Sequence, residues 1–302
     1  MLQARESKWK RFCNRFFHRE KDITRPKVMN IVVFIIFAVY CLSLLYPLFW
    51  ALLAALKSNN EYMMLNRNGF PITWTFENFV KAYDSMSATG TSMLAMIFNS
   101  IWYSAIGAFL NVFVCSVTAY VLSRYKFIGR NFLYGCAMLV MVLPIIGALP
   151  SQYKIYNILG IAGSPLMLIT CISGFGFNFI VLYATYKNIA KDYMEAAFVE
   201  GAGHFGVFFR IMLPQAVGTM AALFIVMFID RWNDYTTPLL FLKDTPTLST
   251  GLFIYKTVMN RRMEMPVYFA GIFICCVPTV ILYAFFQKQI MNMSFEEVLK
   301  DE

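Results

Sequence analysis

Long apolar runs without charged side chains alternate with short polar segments along this chain. A bilayer core of about 30 Å takes about 20 apolar residues in helical form, and six runs meet or approach that length. We predict a membrane helix in each run, because a helix satisfies its own backbone polar groups in hydrocarbon. The predicted spans are residues 31–56, 95–122, 131–153, 155–186 (which opens with a loop), 211–229 with an apolar continuation to about 242, and 265–287.

The composition supports the same interpretation. Of the 302 residues, 59% are hydrophobic and 14% are charged, whereas soluble domains carry roughly 25% charged residues. The first run follows 28 polar residues and is too long for the core of a cleavable signal sequence. We therefore predict an all-α, polytopic membrane protein with six transmembrane helices, and the composition argues against a soluble enzyme.

The formal charge of +9 is distributed unevenly along the chain. Segments on the same side of the membrane as the amino terminus hold 17 of the 26 Lys and Arg residues. Because basic residues concentrate on the cytoplasmic face, both termini are predicted to be cytoplasmic, and no nucleic acid is needed to explain the charge. Residues 7–21 are either an amphipathic helix on membrane lipid or a simple orientation signal. The predicted organisation is a basic cytoplasmic segment (1–28), a six-helix membrane domain (29–291) and a cytoplasmic tail (292–302).

The chain lacks the usual signatures of a catalytic or metal site. Its seven cysteines lie mostly in apolar runs without a CxxC or Cys/His spacing, and it has only two histidines, so neither a disulfide framework nor a zinc site is predicted. No Gly-Lys-Ser or Gly-Lys-Thr of a P-loop occurs. We therefore expect no catalytic, cofactor-binding or metal-ligating residue, and no ATP hydrolysis by the chain alone.

Small and polar residues recur every three or four positions in the second predicted span. Such a stripe lets another helix approach closely, and the alternative is that it lines a pathway. The stripe consists of Ser100, Ser104, Gly107, Asn111, Cys115 and Thr118.

A polar segment at residues 187–214 separates the fourth and fifth predicted spans. Its first half is good helix material, in which Glu195, Ala196 and Ala197 would form a compact face that another protein could approach. Gly201 can end that helix in a sharp turn, and Pro214 falls where its missing N–H costs little, in the first turn of the next span. These residues predict a projecting helix–turn–helix, with an ordinary interfacial loop as the alternative.

The spacing of these residues resembles the EAA motif of permease subunits of binding-protein-dependent ABC importers. The matching positions are Glu195-Ala196-Ala197, Gly201-Ala202, Phe209 and Leu213-Pro214, with Glu200 where most members have Asp. The resemblance implies the type I ABC importer permease fold, in which residues 187–214, here called the coupling loop, dock on an ATPase subunit. The implied ATPase-coupling residues are Glu195, Ala196, Ala197, Glu200, Gly201, Phe205 and Pro214.

Further motifs resemble the carbohydrate-uptake branch and its maltose-type permease subunit. They include Asn99-Ser100, Ser123-Arg124 and Gly129-Arg130, as well as Pro47, Trp50, Ser58, Ala119-Tyr120, Pro144, Pro150, Tyr153, Trp232-Asn233-Asp234 and Pro238-Leu239. The resemblance implies ATP-driven import of a sugar of the oligosaccharide or glycoside class, in a prokaryotic cell membrane. It also implies four partners: a homologous second permease, two ATPases that use ATP and Mg²⁺, and an extracytoplasmic binding protein. The sequence departs from the family at its end, MNMSFEEVLKDE, where members usually have a Gly-rich tail.

A charged cluster interrupts the fifth predicted span. Charges inside a bilayer should face protein or water, and Arg231 and Asp234 are spaced to pair along a helix. One hypothesis is a lining for the sugar path, formed by Asp230, Trp232, Asn233, Asp234 and Tyr235. The other is a structural ion pair, which we favour. In a different class of function, an ion-coupled secondary transporter, Asp230 and Asp234 would form the coupling site.

Overall fold

The computed structural model describes residues 27–87, 90–143, 147–258 and 264–298. The predicted surface helix at residues 7–21, most of the basic segment 1–28, Pro144 and the last four residues of the tail lie outside these ranges. Contacts divide the chain into two units, Met1–Ala51 and Leu52–Glu302. Each unit is described by itself.

Helices make up the regular structure of the described residues, which contain no β-strand. Two π-helical turns (Glu61–Leu65 and Phe208–Met212) and one 3-10 helix (Pro165–Cys171) accompany the α-helices. In chain order the α-helices are α1 (Lys27–Ala55), α2 (Glu77–Ser87), α3 (Met93–Arg124), α4 (Arg130–Val142), α5 (Ala148–Ile158), α6 (Phe177–Asn188), α7 (Asp192–Val199), α8 (His204–Val207), α9 (Leu213–Asn233), α10 (Thr236–Phe241), α11 (Leu248–Val258) and α12 (Met265–Val298).

Four helical stretches in the described residues are long and apolar enough to cross a membrane: Met29–Ala55, Met93–Arg124, His204–Asn233 and Met265–Gln287. They correspond to the first, second, fifth and sixth predicted spans. The expected count of six is not confirmed. The third predicted span is divided between α4 and α5, and in the fourth only the 3-10 helix and α6 are helical after residue 158.

Backbone conformation explains why the third and fourth runs are not single long helices. Gly147, Gly163 and Gly176 have φ angles of 81°, 82° and 128°, a region that glycine enters at no steric cost and that an α-helix does not contain. Pro165 begins the 3-10 helix. Hydropathy counts apolar residues and carries no information on these dihedral angles, so both runs look continuous in the sequence.

The stripe on α3 is a packing surface, as favoured from the sequence. Its members Ser100, Ser104, Gly107, Asn111 and Cys115 are buried, and α3 packs against both α6 and α9. Two buried hydrogen bonds join α3 to α6: Asn178 Nδ2 donates to Asn111 Oδ1 at 2.8 Å, and the hydroxyls of Ser116 and Tyr186 lie 2.6 Å apart.

Residues 56–87 fold against the end of α1 through a small buried polar network. Lys57 and Glu61 are only 1% and 3% exposed. The Lys57 ammonium donates to the carbonyl of Asn66 at 2.7 Å, and Glu61 accepts from the amide of Ile72 at 2.7 Å. Desolvation lowers the pKa of Lys57, and the nearby Glu61 carboxylate opposes that shift. Large apolar side chains surround the network and are exposed: Met63, Met64, Leu65, Phe70, Ile72, Trp74, Phe76 and Val80.

Asn78 fixes α2 to this network, and its removal gives a first prediction. The buried Asn78 amide donates to the carbonyls of Ala55 and Lys57, both at 2.7 Å. Asn78→Ala removes both bonds at a cost of about 1–3 kcal/mol, so amide hydrogen exchange in residues 52–87 should accelerate about 5- to 150-fold. Asn68→Ala, at an exposed position of the same segment, is the control. Equal exchange in the two variants would contradict the anchoring role.

Candidate functional site

The coupling loop contains a short helix that ends in a sharp turn. Gly201, two positions after the end of α7 (Asp192–Val199), has φ = 85°. Its amide donates to the carbonyl of Phe198 at 3.0 Å, and the amide of Ala202 donates to the carbonyl of Ala197 at 2.9 Å. This pair of bonds is a Schellman C-cap, in which glycine supplies the left-handed residue. The expectation that Gly201 ends the helix is confirmed.

The solvent-exposed side of this loop combines acidic and apolar side chains. Glu195, Ala196 and Glu200 are exposed, while Val199 is 89% exposed and Phe205 is 83% exposed. We call these five residues the docking face. Val199 precedes the apolar helical stretch His204–Asn233, and Phe205 is in the first turn of that stretch. Both apolar side chains are therefore exposed beside the capped turn, where another protein could cover them.

Ala197 does not belong to the docking face. It is 5% exposed and packs in a core cluster with Val207, Phe208 and Met212. From the sequence, Ala197 was expected on one face with Glu195 and Ala196. Three consecutive residues of an α-helix spread over about 200°, so one of them has to turn inward. Its methyl group lets α7 lie close to the helix that follows.

Side chains at the end of α3 hold the coupling loop. Arg124, the last residue of α3, donates through Nη2 to the carbonyls of Tyr186 and Ile189 at the end of α6. A cation here satisfies carbonyl groups that a helix end leaves without intrahelical partners. The neighbouring Tyr125 hydroxyl lies 2.9 Å from Nδ1 of His204, at the start of α8. The chain on both sides of α7 is therefore tied to the same helix end.

A π turn joins α8 to α9 over Phe208–Met212. Pro214, in the first turn of α9, has no amide hydrogen, and its ring crowds the carbonyl four residues earlier. The π turn accommodates the proline with one extra residue: the amide of Leu213 donates to the carbonyl of Phe208, five residues back. Pro214 is in the first turn of α9, as expected, but the helical stretch continues through the π turn and begins earlier, at His204.

Trp232 is part of the protein interior. It is 3% exposed, its ring stacks on Phe228 with centroids 5.8 Å apart, and its indole N–H donates to the carbonyl of Cys275 at 3.0 Å. The sequence placed Trp232 on a lining for a sugar path. Trp232 does lie on the lining of the cavity described below, but its ring is packed on Phe228 and its N–H donor is used within the protein.

Asp234 lies immediately after α9 and organises the turn to α10. Its Oδ2 accepts from the Tyr103 hydroxyl of α3 at 3.0 Å, and its Oδ1 accepts from the amide of Thr237 at 3.0 Å. Asp230, one turn earlier, is exposed. The two carboxylates were grouped in the sequence, but their surroundings differ, and Asp234 has a structural role.

A cavity of about 340 Å³ is lined by residues of α9, α11 and α12. Asn233 and Tyr235 contribute to it, and Tyr235 stacks on Phe253 with centroids 4.5 Å apart. The Lys256 ammonium lies 5.9 Å from the centroid of the Tyr268 ring on the same lining. Aromatic faces beside amide and ammonium donors suit a ligand rich in hydroxyl groups.

The contribution of α11 to this cavity was not predicted from the sequence, in which residues 243–264 lie between the fifth and sixth predicted spans. The available signal was the spacing of Ser249, Phe253 and Lys256, at i, i+4 and i+7, which places them on one face of a helix. Of the residues predicted for the substrate path, Trp232, Asn233 and Tyr235 line this cavity, whereas Asp230 and Asp234 do not.

Comparison with known proteins identifies the family to which the chain belongs. The model of the family described as binding-protein-dependent transport system inner membrane component matches residues 111–291. The probable ABC transporter permease protein YurM of Bacillus subtilis is 30% identical over 275 residues, which are 89% of this chain and 88% of that protein. The chain therefore belongs to this family of ABC transporter permeases, and the resemblance of the EAA motif is confirmed at the level of the family.

Two further likenesses extend the comparison. The diacetylchitobiose uptake system permease protein NgcG of Streptomyces coelicolor is 27% identical over 81% of this chain and 80% of its own length. A crystal structure of a bacterial ABC transporter involved in the import of the polysaccharide alginate superposes with a TM-score of 0.74 at 19% identity, covering 89% of this chain and 99% of that chain. The superposition confirms the expected ABC importer permease fold.

The contrast between the two carboxylates gives a second prediction. Asp234→Ala removes two hydrogen bonds to a carboxylate, from the Thr237 amide and the Tyr103 hydroxyl, which together cost about 2–3 kcal/mol. We expect faster hydrogen exchange in residues 234–258 and a lower yield of folded protein in detergent. Asp230→Ala, at an exposed position, should leave both measurements near those of the parent. Equal effects would contradict the structural role of Asp234.

Proposed function

We propose that this protein is a non-catalytic permease subunit of an ATP-driven importer for a carbohydrate, of the oligosaccharide or glycoside class. The observation that carries the proposal is the coupling loop. The capped helix α7 exposes Val199 at its end, and Phe205 is exposed on α8 shortly after the capped turn, in a chain that belongs to the binding-protein-dependent permease family. In water these two side chains gain from being covered by another protein.

The partner that covers the docking face is an ABC ATPase subunit in this proposal. Glu195 and Glu200 offer carboxylates to basic residues of its groove, while Val199 and Phe205 supply apolar area. Gly201 and Pro214 shape the loop, and Ala197 packs beneath it. Two such ATPases bind and use ATP with Mg²⁺, and this chain binds neither. Movement of the ATPases reaches the membrane helices through the bonds from Arg124 and Tyr125.

A second, homologous permease and a solute-binding protein complete the complex in this proposal. The substrate passes between the two permeases in the cell membrane of a prokaryote. A carbohydrate is supported by the named cargo of the relative NgcG and by the aromatic and amide lining beside Asn233 and Tyr235. Asp230, exposed about one turn before Asn233 on α9, adds a carboxylate to the substrate path in this proposal.

An ion-coupled secondary transporter is the alternative raised by the acidic residues of α9. The surroundings of Asp234 count against it, because both carboxylate oxygens accept hydrogen bonds from the protein itself. Purification in mild detergent, followed by an uptake assay, distinguishes the two proposed functions. An importer subunit should bring an ATP-hydrolysing subunit with it, and sugar uptake should stop with ATP depletion. Uptake that follows an ion gradient in the absence of ATP would contradict the proposal.

The turn at Gly201 gives a third prediction, which tests the coupling role. Gly201→Val places a β-branched residue at φ = 85°, a conformation that such residues avoid, whereas asparagine tolerates it. No neighbouring atom lies within 4 Å of an added Cβ, so only the backbone conformation is tested. Valine should reduce sugar-stimulated ATPase activity and uptake at least about tenfold, and Gly201→Asn should retain most of both. Normal transport by the valine variant would refute the coupling assignment.

The orientation of the chain gives a fourth prediction. We propose that both termini are cytoplasmic, so that the segment predicted from the sequence as a loop, residues 57–94, faces outward and meets the binding protein. Asn68→Cys, at an exposed position of that segment, should react with an impermeant thiol reagent added to intact cells. Val199→Cys on the docking face should react only after the membrane is opened. The reverse pattern would invert the proposed topology.

A further inference from the structure

The loop between α3 and α4 lies where the chain leaves one apolar helix and enters the next. α3 ends at Arg124 and α4 begins at Arg130. Because α3 is long and apolar enough to cross a membrane, we infer that residues 125–129 lie near the membrane surface. Apolar side chains project from this short connection. Ile128 is fully exposed, and Phe132 in the first turn of α4 is 73% exposed. Groups of this kind are stable when they enter the acyl region of the lipid.

Basic groups line a cavity of about 320 Å³ at the same loop. The residues on its lining include two cations, an amide and no acidic group: Lys126, Phe127, Gly129, Arg130, Asn131 and Phe132. Its potential is therefore positive. Gly129 has φ = 91° and adds no side chain that would fill the space.

Internal hydrogen bonds hold the Arg130 side chain in place. Its Nε donates to the carbonyl of Leu122 at 2.7 Å, and its Nη2 lies 3.4 Å from the hydroxyl of Tyr183. A guanidinium fixed in this way loses little conformational freedom when it binds an anion. Lys126 is exposed on the opposite side of the turn, and its flexible stem can bring the ammonium to the same anion.

We propose that this cavity binds the phosphate of an anionic phospholipid headgroup, such as phosphatidylglycerol. Lys126 and Arg130 neutralise the phosphate, Asn131 hydrogen-bonds to the headgroup hydroxyls, and Ile128 and Phe132 contact the acyl chains. The apolar side chains favour a lipid over free phosphate, because a soluble anion would leave them in water. Basic pockets beside membrane helices are suited to anionic headgroups.

The site would also be connected to the coupling loop. Tyr125 adjoins Lys126 in the chain and contacts His204 at the start of α8. A bound headgroup would therefore stabilise the loop that supports α7. Neither the lipid site nor its contact with the coupling loop depends on which substrate is transported. Lipid binding can therefore be tested independently of the proposed function.

Native mass spectrometry of the complete purified protein tests the proposal. The protein is equilibrated with equal amounts of phosphatidylglycerol and phosphatidylcholine of the same acyl chains, and the retained lipids are counted. The parent should retain phosphatidylglycerol preferentially. Lys126→Gln should lower this preference about fivefold, which corresponds to about 1 kcal/mol for one basic residue at an anionic surface. Ile128→Ser should also lower total retention.

Lys187→Gln is the matched control, because Lys187 is exposed at the end of α6 and is not part of the cavity lining. It should leave the preference unchanged. Equal retention of the two lipids by the parent, or equal losses in the two lysine variants, would overturn the site. Displacement of phosphatidylglycerol by millimolar inorganic phosphate would show that the cavity takes a soluble anion and would overturn the lipid assignment.

Discussion

The bonds from Arg124 to the end of α6 are the constraint on which the functional surface depends. α3 packs against both α6 and α9, and it is the most buried of the four long apolar stretches in the described residues. Its last side chain satisfies the carbonyls of Tyr186 and Ile189, directly before α7 begins. The docking face consequently rests on the core of the membrane domain. A loop attached only at its two chain ends could not transmit a displacement in the same way.

Internal packing also explains the polar residues near the other end of α9. Trp232 and Asp234 carry groups that could have served a ligand, yet their donors and acceptors are used inside the protein. What remains at the cavity is a set of aromatic and amide groups together with Lys256. Hydroxyl-rich molecules bind to such surfaces through ring contacts and neutral hydrogen bonds, without a buried ion pair that would be costly to desolvate.

Sequence patterns predicted those parts of the structure that depend on local chemistry. Apolar runs located α1, α3, α9 and α12, and Gly201 marked a helix end because a left-handed residue there favours glycine. The division of the third and fourth runs was missed, since positive φ angles at Gly147 and Gly176 leave no trace in hydropathy. The inward position of Ala197 and the cavity lining from α11 depend on which helices meet. Which helices meet is a property of the tertiary structure. In the sequence, only the stripe on α3 indicated part of it.

The extra residue of the π turn at Phe208–Met212 has a consequence for how the loop is aimed. Each residue turns an α-helix by about 100°, so one inserted position rotates everything before it by that angle relative to α9. The direction in which α7 points therefore depends on the number of residues between α7 and α9. Loss of a single residue between Phe205 and Pro214 would swing the docking face around the axis of α9 while leaving every membrane-embedded side chain where it is.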